Sequence, residues 1–270
     1  ETDEELSVFS SEEVPEFNDA PDEAMAAAEN EGIDLANVSG GIYTISSAGD
    51  HKFICSQETG NRIVVDGEGI SPEDSINIYL NKVNINTSTG PALQIMGNVK
   101  AAVTIHLTGT NSLITKNNYY AGLQKDNKAQ LIIKTNDSDA TAGILNARSI
   151  AGDGAGIGGG YLGSGSCSNI IIDSCSVIAS STYGAGIGGS KQRAGSDITI
   201  NSSSVTASST NGAGIGGGEG NSCENITINS SSVTASSTNG AGIGGGEGNS
   251  CENITINSSS VTASSTNGAG

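Results

Sequence analysis

The strongest constraint on the fold is an identical internal repeat in the second half of the chain. Residues 212–239 read GAGIGGGEGNSCENITINSSSVTASSTN, and residues 240–267 repeat all 28 letters. The GAGIGG motif that opens each copy also begins at Gly154 and Gly184, and its first letters return at Gly268. Such self-similarity indicates a repeat architecture, in which each unit packs only on its neighbours. Because the last copy is incomplete, we expect the chain to be part of a longer array.

Each copy contains three short stretches in which apolar residues alternate with small or polar ones. In one copy they are 226–228, 233–235 and 241–243. Alternation with a period of two predicts half-buried strands, and the Ser, Asn and Gly residues between them suit turns. The repeat therefore predicts an all-β parallel solenoid, whose 28-residue coils of three strands stack at about 4.8 Å.

The same spacing extends through the earlier part of the chain without the GAGIGG letters. Strands equivalent to the first of the repeat begin at Ile76, Val103, Leu131, Ile170 and Ile198, at intervals of 27, 28, 39 and 28 residues. The interval of 39 residues predicts a protruding loop or extra strand over 139–150. We expect degenerate coils over 39–150 and regular coils over 151–270.

The composition agrees with a solenoid that has a narrow interior. The chain has 39 Gly in 270 residues, six Tyr, three Phe and no Trp. Stacked Ile, Val and Ala fill a narrow coil without large rings, and glycines permit tight corners and close approach of backbones. No stretch approaches the roughly 20 apolar residues of a bilayer span, so membrane insertion is not expected. A net charge of −18 argues against a nucleic-acid partner.

The acidity is concentrated at the N-terminus. Residues 1–35 hold 13 acids and no Lys or Arg, and we expect 1–18 to be a solvated acidic tail. Asp19 as N-cap and Pro21 in the first turn predict a short helix within 19–38. We expect this helix to cover the N-terminal end of the solenoid, and a frayed linker helix is the alternative. From the charged opening run we expect a secretory signal to be absent or already removed.

Five cysteines show no spacing typical of a metal site. Cys223 and Cys251 occupy equivalent positions in adjacent coils, so their Cα atoms should lie about 5 Å apart, within reach of a disulfide. A column of free thiols is the preferred alternative. Cys167 lies two coils before Cys223, with Gly195 at the intervening position, and therefore lacks a stacked partner.

Candidate ligand residues are the tyrosines that do not fit the interior pattern. They are Tyr119, Tyr120, Tyr161 and Tyr183. Exposed rings on turns can stack on sugars, so we expect a glycan or another cell-surface polymer as partner. Rings that simply close over a coil corner are the alternative.

Acidic residues and histidines give weaker indications of chemistry. The dense acids of the early coils are Asp66, Glu68, Glu73 and Asp74. Oxygen ligands suit calcium, the one cofactor considered, whereas turn or solvent roles explain these acids equally well. His51 and His106 have no convincing partner in sequence, and no catalytic residues are expected.

Two stretches of the chain resemble known families. The text NGAGIGGGEGNSCENITINSSSVTASS is similar to repeats in large surface proteins of gut-type Gram-positive bacteria. The earlier segments 41–43, 62–67, 76–78 and 107–111 resemble the carbohydrate-binding-domain-type β-helix family, related in fold to pectate lyases. The resemblance covers about residues 40–270 and implies a right-handed helix in a secreted or wall-attached protein. No catalytic pattern of the lyases carries over.

These observations together predict a non-enzymatic extracellular β-solenoid that acts as an adhesin or stalk and binds glycans. Three alternatives come from other classes. Identical coil edges could join end to end into filaments. A polysaccharide lyase or hydrolase could have lost its recognisable motifs. Outward ladders such as Thr199, Thr227 and Thr255 could organise water as an ice-binding surface.

Overall fold

The computed structural model shows a right-handed parallel β-helix, which confirms the predicted fold class. It describes residues 32–138, 141–150, 152–161 and 167–270. The predicted acidic tail and most of the predicted capping helix lie outside these residues. Helix in the described part is limited to two 3-10 turns, Leu35–Asn37 and Ser39–Gly41. No helix there is long and apolar enough to cross a membrane.

Each coil of the described residues contributes strands in turn to three parallel sheets. The first sheet contains β1 Ile33–Asp34, β3 Gly49–Ile54, β5 Ser75–Asn81, β8 Ala102–Thr108, β11 Leu131–Thr135, β14 Cys167–Asp173, β17 Gly195–Asn201, β20 Cys223–Asn229 and β23 Cys251–Asn257. The second sheet contains β6 Asn84–Thr87, β9 Thr110–Thr115, β12 Ile144–Ser149, β15 Ser176–Ser180, β18 Ser204–Ser209, β21 Ser232–Ser237 and β24 Ser260–Ser265. The third sheet contains β2 Ile42–Ile45, β4 Arg62–Val65, β7 Leu93–Ile95, β10 Leu123–Lys125, β13 Ile157–Gly158, β16 Ile187–Gly188, β19 Ile215–Gly216 and β22 Ile243–Gly244.

The interior is a set of side-chain columns that run through both halves of the chain. One column follows the predicted register through Ile76, Val103, Leu131, Ile170, Ile198 and Ile226. All six side chains are buried, while the residues between them on each strand face outward. Alternation places every second side chain on the inner face, so short aliphatic residues fill the coil. The degenerate and regular coils therefore share one continuous core.

The predicted protrusion over 139–150 is wrong in its second half. Strand β12 pairs in register with β9 and β15 and is a regular member of the second sheet. The additional residues lie mainly in the turn before it, since Leu131 and Leu145 are 14 residues apart where a regular coil has seven. Turns tolerate inserted residues because an insertion there does not displace the strands on either side. The strand pairing therefore keeps its regular register from coil to coil.

The turn between the first and second sheets is held by a column of serines. Its central residue has left-handed backbone, with φ of 46° at Ser202 and 49° at Ser230. The next residue, Ser203, donates its Oγ hydrogen to the Asn201 carbonyl at 2.6 Å and accepts from the Cys175 N–H at 3.3 Å. Ser231 repeats this arrangement one coil later, accepting from the Ser203 N–H at 3.1 Å. Serine thus satisfies the polar groups of a turn too tight for water.

Gly214 shows why the turn into the third sheet requires glycine. A Cβ atom there would lie 2.6 Å from the Gly242 carbonyl oxygen and 2.8 Å from the Ser236 nitrogen. Both are backbone atoms, one in the next coil, and neither can move without breaking the ladder. The glycine excess of the composition is therefore a packing requirement, as expected from the sequence.

We expect Gly214→Ala to lower the free energy of unfolding by about 2 kcal/mol or more, because the methyl group would push two coils apart. The midpoint of urea unfolding, followed by circular dichroism, measures the loss. Gly60→Ala is the matched control, since the nearest atom to its Cβ would be 4.0 Å away. An equal loss in both variants would contradict the packing argument.

A buried lysine interrupts the aliphatic interior at the end of β10. Lys125 is 1% exposed, and its Nζ donates to the carbonyl oxygens of Asn127 at 2.8 Å and Ser168 at 2.7 Å. Burial lowers the pKa of Lys125 and raises the pKa of Asp126, whose Oδ2 accepts from Gln124 at 2.5 Å. Because Ser168 belongs to the next coil, Lys125 links two coils through its side chain, in addition to the backbone hydrogen bonds between their strands.

Lys125→Met should destabilise the fold by about 2–4 kcal/mol, because two buried carbonyl groups lose their donor. Thermal unfolding monitored by circular dichroism tests this, with the exposed Lys128→Met as control. Equal stability of Lys125→Met and the parent chain would show that the buried ammonium group contributes nothing.

Candidate functional site

Turns from successive coils bring the aromatic residues together on the side of the third sheet. The turn that enters each third-sheet strand carries Tyr119, Asp153, Tyr183 and Asn211 at equivalent positions. The turn that leaves it carries Tyr161, Lys191, Glu219 and Glu247. We name these eight residues the corner strip.

Backbone hydrogen bonds join the two turns into side-by-side pairs. The amide nitrogens of Tyr161, Lys191, Glu219 and Glu247 donate to the carbonyl oxygens of Tyr119, Asp153, Tyr183 and Asn211, at 2.8, 2.7, 2.9 and 3.2 Å respectively. Each bond links a turn to the coil before it. The strip is therefore a ladder of four residue pairs whose backbone positions are set by the solenoid.

The first pair is aromatic. The rings of Tyr119 and Tyr161 stack with centroids 6.1 Å apart and an interplanar angle of 25°. Tyr119 is 46% exposed, and Tyr161 is half-buried. Tyr120 is also half-buried, and its carbonyl accepts the Ser149 hydroxyl at 2.9 Å. Of the four predicted tyrosines, the structure thus places two in direct ring contact on the outer surface.

Lys191 lies at the centre of the next two pairs. Its Nζ is 3.9 Å from Asp153 Oδ1, 4.0 Å from Glu219 Oε1 and 4.5 Å from the centre of the Tyr183 ring. These distances are ion-pair and cation–π contacts rather than direct hydrogen bonds, so the ammonium hydrogens stay available to a ligand. Glu219 Oε2 is shielded from solvent and has no hydrogen-bond partner among the described residues.

The tyrosines of the strip were predicted from the sequence as ligand residues, whereas Asp153, Lys191 and Glu219 were not. Their signal is positional, because Lys191 follows Tyr161 by 30 residues and precedes Glu219 by 28. Aligning the coils would have placed them beside the tyrosines, although nothing in their local sequence distinguishes them.

Two of the four acids predicted as calcium ligands accept hydrogen bonds from neighbouring protein groups. Asp66 Oδ1 accepts from Asn98 Nδ2 at 2.6 Å and from the Glu68 nitrogen at 3.1 Å, and these bonds lower the pKa of Asp66. Asp74 Oδ2 accepts from the Ser71 nitrogen at 3.0 Å. The described residues hold no group of three or more His, Cys, Asp or Glu side chains placed to share a metal ion. The structure therefore does not bring Asp66, Glu68, Glu73 and Asp74 together.

The cysteines differ in their pairing. A disulfide joins Cys223 to Cys251 in the adjacent coil, and the Cα atoms of the two residues are 4.5 Å apart. The preferred alternative of free thiols does not describe this pair. Cys167 stacks on Gly195 and is free, as its position predicts, and burial raises its pKa to about 11. Such a thiol is a poor nucleophile.

The two histidines lie away from the strip. His106 stacks on Tyr79 on the outer face of the first sheet, with ring centroids 4.4 Å apart and an interplanar angle of 10°. Burial, then the charge of Lys134, lowers the pKa of His106. His51 Nε2 lies 3.0 Å from the Ser47 carbonyl oxygen. The predicted register that pairs Ile76 with Val103 also pairs Tyr79 with His106, although His106 was expected to have no partner.

Comparison with known proteins supports a carbohydrate-related β-helix. Residues 39–162 match a family model described as a carbohydrate-binding domain-containing protein. Residues 198–219 and 226–247 match a β-helix repeat model. No curated protein and no solved structure matches the chain. The match to the carbohydrate-binding family model covers the degenerate coils and includes the Tyr119–Tyr161 pair, so this part of the chain is similar to that family.

Proposed function

We propose that this protein is a non-enzymatic solenoid that binds a glycan on the corner strip. The carrying observation is the stacked Tyr119–Tyr161 pair next to Lys191 and its two carboxylate neighbours. Aromatic faces contact the C–H faces of sugar rings, while charged and amide groups exchange hydrogen bonds with hydroxyls. The family match over 39–162 supports this assignment.

We also propose an extracellular location, secreted or attached to a cell wall, and a role as adhesin or stalk. Two features support it. The disulfide between Cys223 and Cys251 is of a kind that persists in oxidising compartments. The continuous hydrogen-bonded coils form an extended body that can hold a binding strip away from an anchoring surface.

Tyr119→Ala and Tyr161→Ala should each weaken glycan binding at least tenfold, because either change removes one ring of the stacked pair. Retention on cellulose, xylan, chitin, β-1,3-glucan and polygalacturonate, followed by affinity electrophoresis with the retained polymer, measures this. Tyr79→Ala is the matched control, a part-exposed tyrosine on a different sheet.

Two outcomes would overturn the assignment of the strip. One is that the parent chain is retained by none of the polymers. The other is that Tyr79→Ala weakens binding as much as the two strip variants do. Circular dichroism of each variant separates loss of binding from loss of fold.

We further expect the parent chain to release no unsaturated or reducing-end products from these polymers. The reason is that Lys191 Nζ lies 3.9 Å from Asp153 Oδ1 and 4.0 Å from Glu219 Oε1, so one ammonium group engages both carboxylates of the strip instead of leaving them to flank a glycosidic bond. Absorbance at the wavelength of unsaturated uronates and a reducing-sugar assay measure this. Product that accumulates with the parent chain but not with Lys191→Met would assign the strip a catalytic role instead.

A further inference from the structure

The corner strip has a period of one coil, and this period constrains the shape of its ligand. Its four pairs, from Tyr119–Tyr161 to Asn211–Glu247, are set by equivalent backbone hydrogen bonds. Neighbouring strands lie about 4.8 Å apart, so three steps between four pairs span roughly 14 Å along the solenoid axis. Successive rings of an extended glycan chain carry the same hydroxyl groups, so a chain parallel to the axis would present equivalent groups to successive pairs of the strip.

An amide column that begins at Asn211 of the strip and continues through Asn239 and Asn267 is fixed in orientation. Asn239 Nδ2 donates to Asn211 Oδ1 at 2.6 Å, and Asn267 Nδ2 donates to Asn239 Oδ1 at 2.7 Å. An amide group has two hydrogens and two carbonyl lone pairs. Asn239 therefore keeps one donor and one acceptor for a ligand, and Asn211 and Asn267 are held in the same orientation one coil away.

The strip is also different at its two ends. The aromatic pair, Lys191 and Asn211 precede the identical repeats, which contribute Glu219 and Glu247 to the strip. Residues 212–239 and 240–267 are identical, so each repeat also presents an asparagine, Asn239 or Asn267, one coil further along the axis. One end of the strip thus has a unique aromatic anchor, and beyond its other end the repeats continue the same polar positions.

Building on the proposed function, we infer that the ligand is a linear glycan lying parallel to the solenoid axis. The Tyr119–Tyr161 pair holds one end of the glycan. Each further 28-residue repeat places a glutamate beside an asparagine of the coil before it, as Glu247 lies beside Asn211, and each such Asn–Glu pair receives about one further sugar. Repeat number therefore sets the length of glycan that the protein can engage.

The test changes repeat number without changing the fold. One or two further copies of residues 240–267 are inserted after Asn267, with serine at the cysteine position of each added copy, so that the Cys223–Cys251 disulfide is retained. The probes are cello-, xylo-, chito- and galacturono-oligosaccharides from dimer to decamer. Isothermal calorimetry gives the Kd for each length with the parent chain and with both extended chains.

We expect Kd to fall with oligosaccharide length and then level off, and the levelling length to increase by about one sugar per added copy. For the longest oligomers, Kd should fall about threefold or more with each copy. An added copy with Asn→Ala at the position of Asn239 and Glu→Ala at that of Glu247 is the matched control, and it should add nothing.

The outcomes distinguish this inference from the proposed function. If oligosaccharides bind but the levelling length is the same in all three chains, the axial arrangement is wrong while glycan binding stands. If the alanine control copy extends the levelling length as well as the natural copy, the Asn–Glu positions are not subsites. If no oligosaccharide binds to any chain, the inference and the proposed function both fail.

Discussion

The structure depends on the hydrogen-bonded contact between one coil and the next. In a parallel ladder every strand residue meets the equivalent residue of the neighbouring coil, so each position in the sequence packs against a copy of itself. This arrangement favours side chains that pack well against an identical side chain about 4.8 Å away. They are Ile, Val and Ala in the interior and Ser, Thr and Asn on the outer surface. Glycine appears where the ladder brings two backbones together, as at Gly214, whose Cβ would collide with the next coil.

Columns of polar side chains form hydrogen bonds with the backbone groups that the ladder between strands leaves unpaired. Ser203 and Ser231 satisfy the tight turn between the first and second sheets, and Ser209 donates to the Gly184 carbonyl at 2.7 Å near the third. Where the coils are less regular, other residues take over this task. Lys125 reaches two carbonyl oxygens in the interior, and one of them belongs to the following coil. In the irregular coils, individual side chains such as Lys125 donate to the unpaired backbone carbonyl groups. In the repeats, columns of serine side chains do so.

Most of the fold could be predicted because residues that stack on one another in successive coils must be similar. The sequence therefore repeats with the period of one coil. The column from Ile76 to Ile226 was visible as spacing alone, and so was the closeness of Cys223 to Cys251. The site was less visible. Tyr119 and Tyr161 are 42 residues apart and occupy two different turns, and their contact exists only because those turns meet beside the third sheet. Lys191 carries no local signal, and the insertion before β12 could be detected by its length but not placed by it.

The asparagine columns give the solenoid a direction. Asn257 donates to Asn229 and Asn229 to Asn201, while Asn253 donates to Asn225, which donates to the carboxylate of Asp197. Every amide in these two columns points its hydrogens toward the N-terminal coils, so their dipoles add instead of cancelling and each bond polarises the next. The stack therefore behaves as a vector: its two ends differ in electrostatic character even where consecutive coils are identical in sequence, and a coil inserted in the reverse orientation would set donor against donor.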